Sequence, residues 1–394
     1  MRVAILTHEF PPYIFGGIGS FIQTLAQALS NEGVEVSVIA GSPERTPKRT
    51  RLPGKNTVNI VWLPRGQLPP RHFWFQVRNL NFLKRELVGY DVVHGQDAAS
   101  FPILQLFKRQ NLRIPWVVTI HTSPYSEMHL TLSSIFHGGS LTDLATYAAG
   151  FPLWDLTLRE HVKWADHLVA VSNHLREELC NTYGADEKRA DFIPTCVDIL
   201  ELKKMLDRKI RSNEEIVKLV YAGRLYYRKG ISHLMSAVNH LVNVLGVTNF
   251  TLEVFGTGPL TRSVKLYVQR NCLGKQVGFR GFVPRKTLIA SLSGCDIVCM
   301  PSLYEACPVT MIESMAMGKP VVTFNLPFAR EMLGEDYAQM ASDTADYAVK
   351  LAHLIESRDE RRRLSKISEL MADRFDAREI ASQYLRIYND LSRH

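Results

Sequence analysis

The sequence predicts two consecutive α/β domains, each a doubly wound parallel sheet, and three observations lead there. The chain has 394 residues, more than one hydrophobic core ordinarily serves. Its composition, 46% hydrophobic and 22% charged, is that of a globular protein and not of a disordered one. Short β-branched runs alternate with amphipathic helical stretches twice over, which argues for parallel sheets covered on both faces.

In the first half the strand-like runs are 3–7, 35–40, 58–63, 91–94, 116–121 and 167–172, with helical patterns at 20–32, 75–87, 100–109 and 173–183. Around 194–213 the pattern gives way to a charged stretch, so the domain boundary is placed at residue 200. A second alternation follows, with strands at 217–222, 250–255, 276–282, 296–300 and 320–324 and helices at 231–245, 260–271, 285–292 and 309–317. The second domain is taken to run over 201–375, with a separate arginine-rich helix at 376–394. Two segments interrupt the alternation. The basic, Pro/Gly-containing stretch 45–55 reads as a mobile loop, and 123–154 as an irregular functional loop or short helical insertion. Two such sheets are expected to face each other across a cleft, with ligands beyond the carboxyl ends of the strands.

The net charge of +8 favours anionic ligands but says nothing about fold. Nucleic-acid binding would rest on that charge alone, with no supporting motif. No apolar run reaches the roughly 18 residues of a membrane span, and the chain opens directly on a strand-like run without a signal segment. A cytoplasmic location is therefore expected. The six cysteines lack C-x-x-C spacing and read as reduced, mostly buried thiols. No metal or other cofactor is expected, since there is no zinc-like ligand spacing and no Asp-x-Asp to hold a divalent ion on a diphosphate.

The most informative feature is Glu305 and Glu313, spaced E-x7-E at a loop-to-helix junction. Pro308 suits the first helical position, while Gly318 and Pro320 stop the helix. Glu305 then lies in the loop and Glu313 about one turn inside. The amides of Val309 and Thr310 point out of the positive end of the helix dipole, a favourable place for phosphate. Taken alone, such a pair is also ordinary dipole compensation; the surrounding motifs decide. Arg224 and Lys229 follow the first strand of the second domain, where two cations could neutralise a diphosphate leaving group; Arg228 competes with Lys229 for the role. Gly256 and Gly258, in Gly-Thr-Gly-Pro, offer backbone amides after the next strand. Arg280 lies in Phe-Arg-Gly-Phe-Val, whose backbone could read a nucleobase edge. In the first domain Gly16 and Gly17 allow backbone to approach a ligand, although the spacing is no dinucleotide fingerprint. His121 ends a strand, where a histidine can hydrogen-bond a sugar hydroxyl.

Together these motifs resemble the GT4 family of retaining glycosyltransferases with the GT-B fold. The match comprises Gly-Gly after the first strand, the strand-end His121, Gly-Arg-Leu followed by Lys-Gly, Gly-x-Gly-Pro, Phe-x-Gly-x-Val, and E-x7-E followed by Met-Ala-x-Gly-Lys-Pro-Val-Val, in family order over roughly residues 3–325. The resemblance implies a hexosyltransferase using a nucleotide diphosphate sugar, without a metal, through two Rossmann-like domains, the first on the acceptor side and the second binding the donor. It implies that Arg224 and Lys229 bind the diphosphate, Glu305 the donor sugar and Glu313 the ribose. Gly16 and Gly17 would approach the phosphates or sugar, and His121 would lie near the transferring carbon. The helix at 376–394 would cross back onto the first domain.

Two departures stand out. Ala306-Cys307-Pro308 replaces the Gly-Phe-Gly of many members, so one expected amide is missing. Ile14 replaces the lysine of starch and glycogen synthases. The acceptor is open between a sugar, a sugar phosphate and a lipid-linked molecule. The basic, aromatic stretch 65–78 suits peripheral contact with an anionic membrane, and equally a loop and helix whose aromatics pack inward. A disaccharide phosphorylase of the same fold and a non-catalytic nucleotide- or glycan-binding protein are the alternatives.

Overall fold

The structure is a computed structural model; it describes residues 1–394 except 14–15, 45, 53–55, 66–70, 135–140, 207–215 and 394. The chain divides into two compact units: Met1–His129, Thr142–Val197 and Phe375–His394 form one, and Leu130–Leu141 and Asp198–Arg374 the other.

The first unit is built on an eight-stranded sheet of order β3-β4-β2-β1-β5-β6-β7-β8. Its strands are β1 (Arg2–Thr7), β2 (Glu35–Ser42), β3 (Lys48–Leu52), β4 (Val58–Pro64), β5 (Val92–Gln96), β6 (Trp116–Ile120), β7 (His167–Ala170) and β8 (Ala190–Phe192). All neighbours pair parallel except β3, which runs antiparallel to β4. Val3, Ala4, Ile5 and Leu6 of β1 are completely buried, as a central parallel strand covered on both faces requires. Helix α1 (Gly17–Asn31) buries Phe21, Ile22, Leu25 and Leu29, a stripe at helical spacing. Each such side chain contributes roughly 1.5–3 kcal/mol.

The final helix, α15 (Ala377–Ser392), belongs to this unit and packs against α1. A parallel bridge pairs Val197 with Asp376, and two backbone hydrogen bonds, Val197 N to Phe375 O (3.1 Å) and Ala377 N to Val197 O (3.0 Å), pin its entry. The Asp376 carboxylate caps its first turn. Its own Ile380, Tyr384 and Tyr388 are fully buried.

The second unit carries a six-stranded, wholly parallel sheet of order β11-β10-β9-β12-β13-β14. Its strands are β9 (Val217–Ala222), β10 (Phe250–Phe255), β11 (Val277–Gly281), β12 (Ile297–Met300), β13 (Val321–Phe324) and β14 (Met340–Ala341). In both sheets the strand order reverses beside the first strand of the unit. That places a topological switch point between β1 and β5 in one and between β9 and β12 in the other, the place where doubly wound sheets bind ligands.

Several expectations need correction. The stretch 45–55 is not simply a loop: Lys48–Leu52 forms β3, an exposed edge strand whose lysine and arginines discourage further pairing; 45 and 53–55 lie outside the described residues. In 123–154 the described residues from Pro124 on are helical, in α4 (Pro124–Ser134) and α5 (Leu141–Trp164); 135–140 lie outside the described residues. Strands β8 and β14, of three and two residues, are too short to carry a period. Pro308 is the N-cap of its helix and not its first residue. Of the basic aromatic stretch, Phe75 is buried while Trp74 is exposed on α2 (Arg71–Leu87); 66–70 lie outside the described residues, as does Ile14. Among the described residues no helix is long and apolar enough to cross a membrane.

Candidate functional site

In the second unit the loops leaving β9 and β12 meet at the switch point. Gly230 has φ of +67°, and a Cβ there would fall 1.7 Å from the Pro301 carbonyl oxygen. Only glycine permits that approach. The Leu303 amide donates to the Arg228 carbonyl (2.9 Å) across the same seam. The turn itself is clamped by the Tyr221 hydroxyl, 3.0 Å from the Arg224 carbonyl oxygen. This backbone contact brings Lys229 and Glu305 together: Lys229 Nζ donates to Glu305 Oε1, and Ser302 Oγ donates to the same oxygen at 2.8 Å. Burial pushes the Lys229 ammonium below its ordinary pKa. Glu305 pulls the other way, while Arg228 and Arg224 add to the lowering. Arg224 itself is exposed.

Beyond Glu305 the chain enters α11 (Val309–Ala316). Val309 and Thr310 occupy its first turn, where amides have no acceptor within the helix. Glu313 is 2% exposed and accepts from Arg285 Nη1. Burial raises the Glu313 carboxyl pKa, and Arg285 opposes that rise. Arg285 begins α10 (Arg285–Gly294).

The other predicted residues of this unit lie apart from the pair. Arg280 is on β11, two strands from β9, and forks onto Glu253 Oε1 of β10 (2.6 and 3.0 Å). The amides of Gly256 and Gly258 are already donated, to Gly281 O (2.7 Å) and Thr261 Oγ1 (3.0 Å). What these glycines provide is contact: a Cβ at Gly256 would lie 2.0 Å from the Gly223 carbonyl oxygen. They hold the turn that presents Arg224.

In the first unit Gly16 is the N-cap of α1 and Gly17 its first residue, both exposed. Glu9, in the loop after β1, is 2% exposed and accepts the Gly19 amide at 2.9 Å, so a carboxylate caps this helix. His121 follows β6. Its amide donates to Asp97 Oδ1 (2.7 Å), its Nε2 lies 2.8 Å from Gln96 Oε1, and Phe21 meets the ring edge-on at 5.3 Å. Burial, helped by His8, pushes the imidazole pKa down to about 3, so the ring is neutral at physiological pH. Burial pushes the Asp97 carboxyl up to about 7; the Glu9 charge adds to this and the His121 amide opposes it. Asp97 has φ of 44°, a left-handed conformation that costs a non-glycine residue on the order of 1 kcal/mol.

Sequence reasoning missed Arg285, Ser302, Glu9, Gln96 and Asp97. Gln96 and Asp97 end β5, and their importance shows only once β5 is known to neighbour β1.

Two families match the chain: residues 15–200 match the one described as Glycosyltransferase Family 4, and residues 203–371 the one described as Glycosyl transferases group 1. An uncharacterised glycosyltransferase of Methanocaldococcus jannaschii is 26% identical over 355 residues, covering 84% of this chain and 83% of its own. The D-inositol 3-phosphate glycosyltransferase of Paenarthrobacter aurescens is 24% identical over 392 residues, covering 95% and 93%. Among solved structures, sucrose-phosphate synthase from Thermosynechococcus elongatus superposes with a TM-score of 0.78 at 19% identity, covering 99% and 98%. Anabaena HepE, solved in complex with UDP and glucose, gives 0.71 at 16%, covering 99% and 100%.

Proposed function

The chain belongs to the glycosyltransferases of family 4 and group 1, enzymes of the GT-B fold that act on nucleotide-sugar donors, and from that premise we propose that it transfers a hexose-type unit from a UDP- or GDP-sugar with retention of configuration. The observation that carries this reading is the meeting of Lys229 and Glu305 at the switch point of the second unit, beside the start of α11. A diphosphate there gains a lysine, an exposed arginine and the positive end of a helix. These supply the charge that a metal supplies elsewhere. Glu305 is assigned to the donor sugar and Glu313 to the ribose. Arg285 opposes the rise that burial gives the Glu313 pKa and so favours the ionised form, which accepts from hydroxyls.

In the proposed step the bond between the sugar's anomeric carbon and the diphosphate oxygen breaks. The leaving diphosphate takes up the charge beside Lys229 and Arg224. The acceptor hydroxyl attacks from the same face and passes its proton to the departing oxygen. No side chain in this assignment acts as a covalent nucleophile. His121 is assigned a hydrogen bond to a sugar hydroxyl. The acceptor is assigned to the class of sugars, sugar phosphates or lipid-linked molecules.

The test is nucleoside diphosphate release from a panel of UDP-, GDP- and ADP-sugars without acceptor. Selective release from one donor supports the reading and names the donor. No release from any, with sugar 1-phosphate formed from disaccharides and inorganic phosphate, favours the phosphorylase. Silence in both, without nucleotide-induced stabilisation, favours a binding protein.

A further inference from the structure

His121 is the visible end of a longer buried chain within the first unit. Gln96 Nε2 lies 2.9 Å from His94 Nε2, while its Oε1 meets His121. Thr119 Oγ1 is 2.7 Å from the same His94 nitrogen. His94 Nδ1 is 2.6 Å from the Tyr388 hydroxyl, and Thr119 Oγ1 is 3.0 Å from that of Tyr384. Both tyrosines lie on α15. Gln96 is 1% exposed, and His94, Thr119, Tyr384 and Tyr388 are fully buried.

The donors and acceptors in this chain constrain one another. The Gln96 amide has one accepting end and one donating end. With its oxygen toward His121, that imidazole must carry a proton on Nε2. With its nitrogen toward His94, that Nε2 must be bare, and its one lone pair is shared between the Gln96 amide and the Thr119 hydroxyl. Burial keeps His94 neutral, so its proton sits on Nδ1 and is donated to Tyr388. The sense of the Gln96 amide thus specifies one tautomer at each ring, and the Tyr388 hydroxyl satisfies the Nδ1–H of His94. Asp97 fixes the backbone of His121 at the same time.

We propose that Gln96 and Asp97 are positioning residues for His121, and that the Gln96 amide, backed by His94 and by Tyr388 of the returning helix, holds His121 as the Nε2–H tautomer. Nδ1 is thereby the accepting nitrogen, so His121 receives a hydrogen bond from a sugar hydroxyl and does not donate one. The last claim rests on the function proposed above; the tautomer claim does not.

The test uses the full chain with ¹⁵N-labelled histidine. The His121 resonances are identified by their loss in His121→Asn, and tautomers are read from long-range ¹H–¹⁵N correlations. Wild type is expected to show Nε2–H at His121 and Nδ1–H at His94. Tyr388→Phe keeps the ring and removes only the hydroxyl, and Gln96→Met keeps the side-chain length. Both are expected to give mixed tautomers at His121 and to lower kcat by on the order of tenfold to a hundredfold, with affinity for the nucleoside diphosphate unchanged. Gln96→Glu keeps an acceptor toward His121 and is expected to restore its tautomer and most of the turnover. A wild-type His121 protonated on Nδ1, or one whose spectrum ignores both substitutions, overturns the proposal. If the spectra behave as expected but His121→Asn turns over normally, the tautomer relay stands and the sugar contact falls.

Discussion

Replacing Lys229 with methionine separates stability from function at the heart of the candidate site. Lys229 and Glu305 retain 23% and 12% of their side-chain exposure. Breaking a fully buried pair costs about 3–5 kcal/mol. Here both ends reach some solvent, and Glu305 keeps the Ser302 hydroxyl at 2.8 Å, so about 2 kcal/mol is expected. That cost lies with Glu305 and not with the lysine. The Lys229 pKa is lowered despite its partner, which means the ammonium is held less favourably in the fold than in water. The double variant Lys229→Met/Glu305→Gln should therefore recover most of the loss, because no charge is left stranded. Function goes the other way. Losing one charge-assisted hydrogen bond, about 1.5–3 kcal/mol, should weaken UDP or GDP binding roughly tenfold to a hundredfold, and turnover should fall by about two orders of magnitude or more. Urea unfolding, calorimetric titration of the nucleotide and diphosphate release measure the three quantities. A double variant less stable than the single one, or unchanged nucleotide affinity in either, refutes the reasoning.

Arg285→Met should strand the Glu313 carboxylate and cost about 2–3 kcal/mol at pH 8. Its pKa, already raised by burial, should rise further, so the loss relative to wild type should grow as pH climbs from the raised wild-type pKa towards the higher pKa of the variant; equal losses in urea at pH 4 and 8 would contradict this. Gly230→Ala should cost more than about 3 kcal/mol, through both the contact with Pro301 and the positive φ, and a thermal midpoint within a degree or two of wild type would show that the seam yields. In wild type, His94 and His161 are buried and held neutral with pKa values of about 3. The unfolded chain protonates first as pH drops below about 6.5, so each should remove about 2 kcal/mol by pH 5. Asp97, pushed up to about 7, acts oppositely between about pH 4 and 7, offsetting one histidine. Stability measured in urea should still fall from pH 6.5 to 5, because His121 and His8 shift in the same direction as the other two.

How much of this was legible in the sequence depends on the range of the signal. The longer parallel strands were readable because burial on both faces leaves continuous β-branched runs such as Val-Ala-Ile-Leu in β1. The Lys229 and Glu305 loops were readable because glycine and proline punctuate them. Strand β3 was hidden because an exposed edge strand carries lysine and arginine, the composition of a loop. Gln96 and Arg285 were hidden for a different reason. Neither has an unusual local context, and each gains meaning only from strand order or from a partner 25 or 28 residues away. Motifs report where backbone geometry is demanding, whereas polar support around a motif is set by packing and leaves no period.

Both glutamates are paired with cations, an arrangement that at first suggests a blocked site. Donor and acceptor capacity says otherwise. A lysine ammonium has three hydrogens, and Glu305 takes one, so an arriving diphosphate can bind Lys229 without displacing its partner. A carboxylate offers about four lone-pair positions. Arg285 occupies one on Glu313, and a ribose diol can take others. Each ion pair thus fixes the geometry of a group and favours its charged form against burial, while leaving capacity for a second partner. In the proposed reaction, a site arranged in this way would need little reorganisation when charge develops on the leaving group, which is the condition under which electrostatic stabilisation accelerates a reaction most. The same logic explains why the partners are a half-exposed arginine and a lysine at a loop rather than hydrophobic isosteres. Apolar residues in place of both members of a pair would remove the desolvation cost but leave no charge for the ligand to complete.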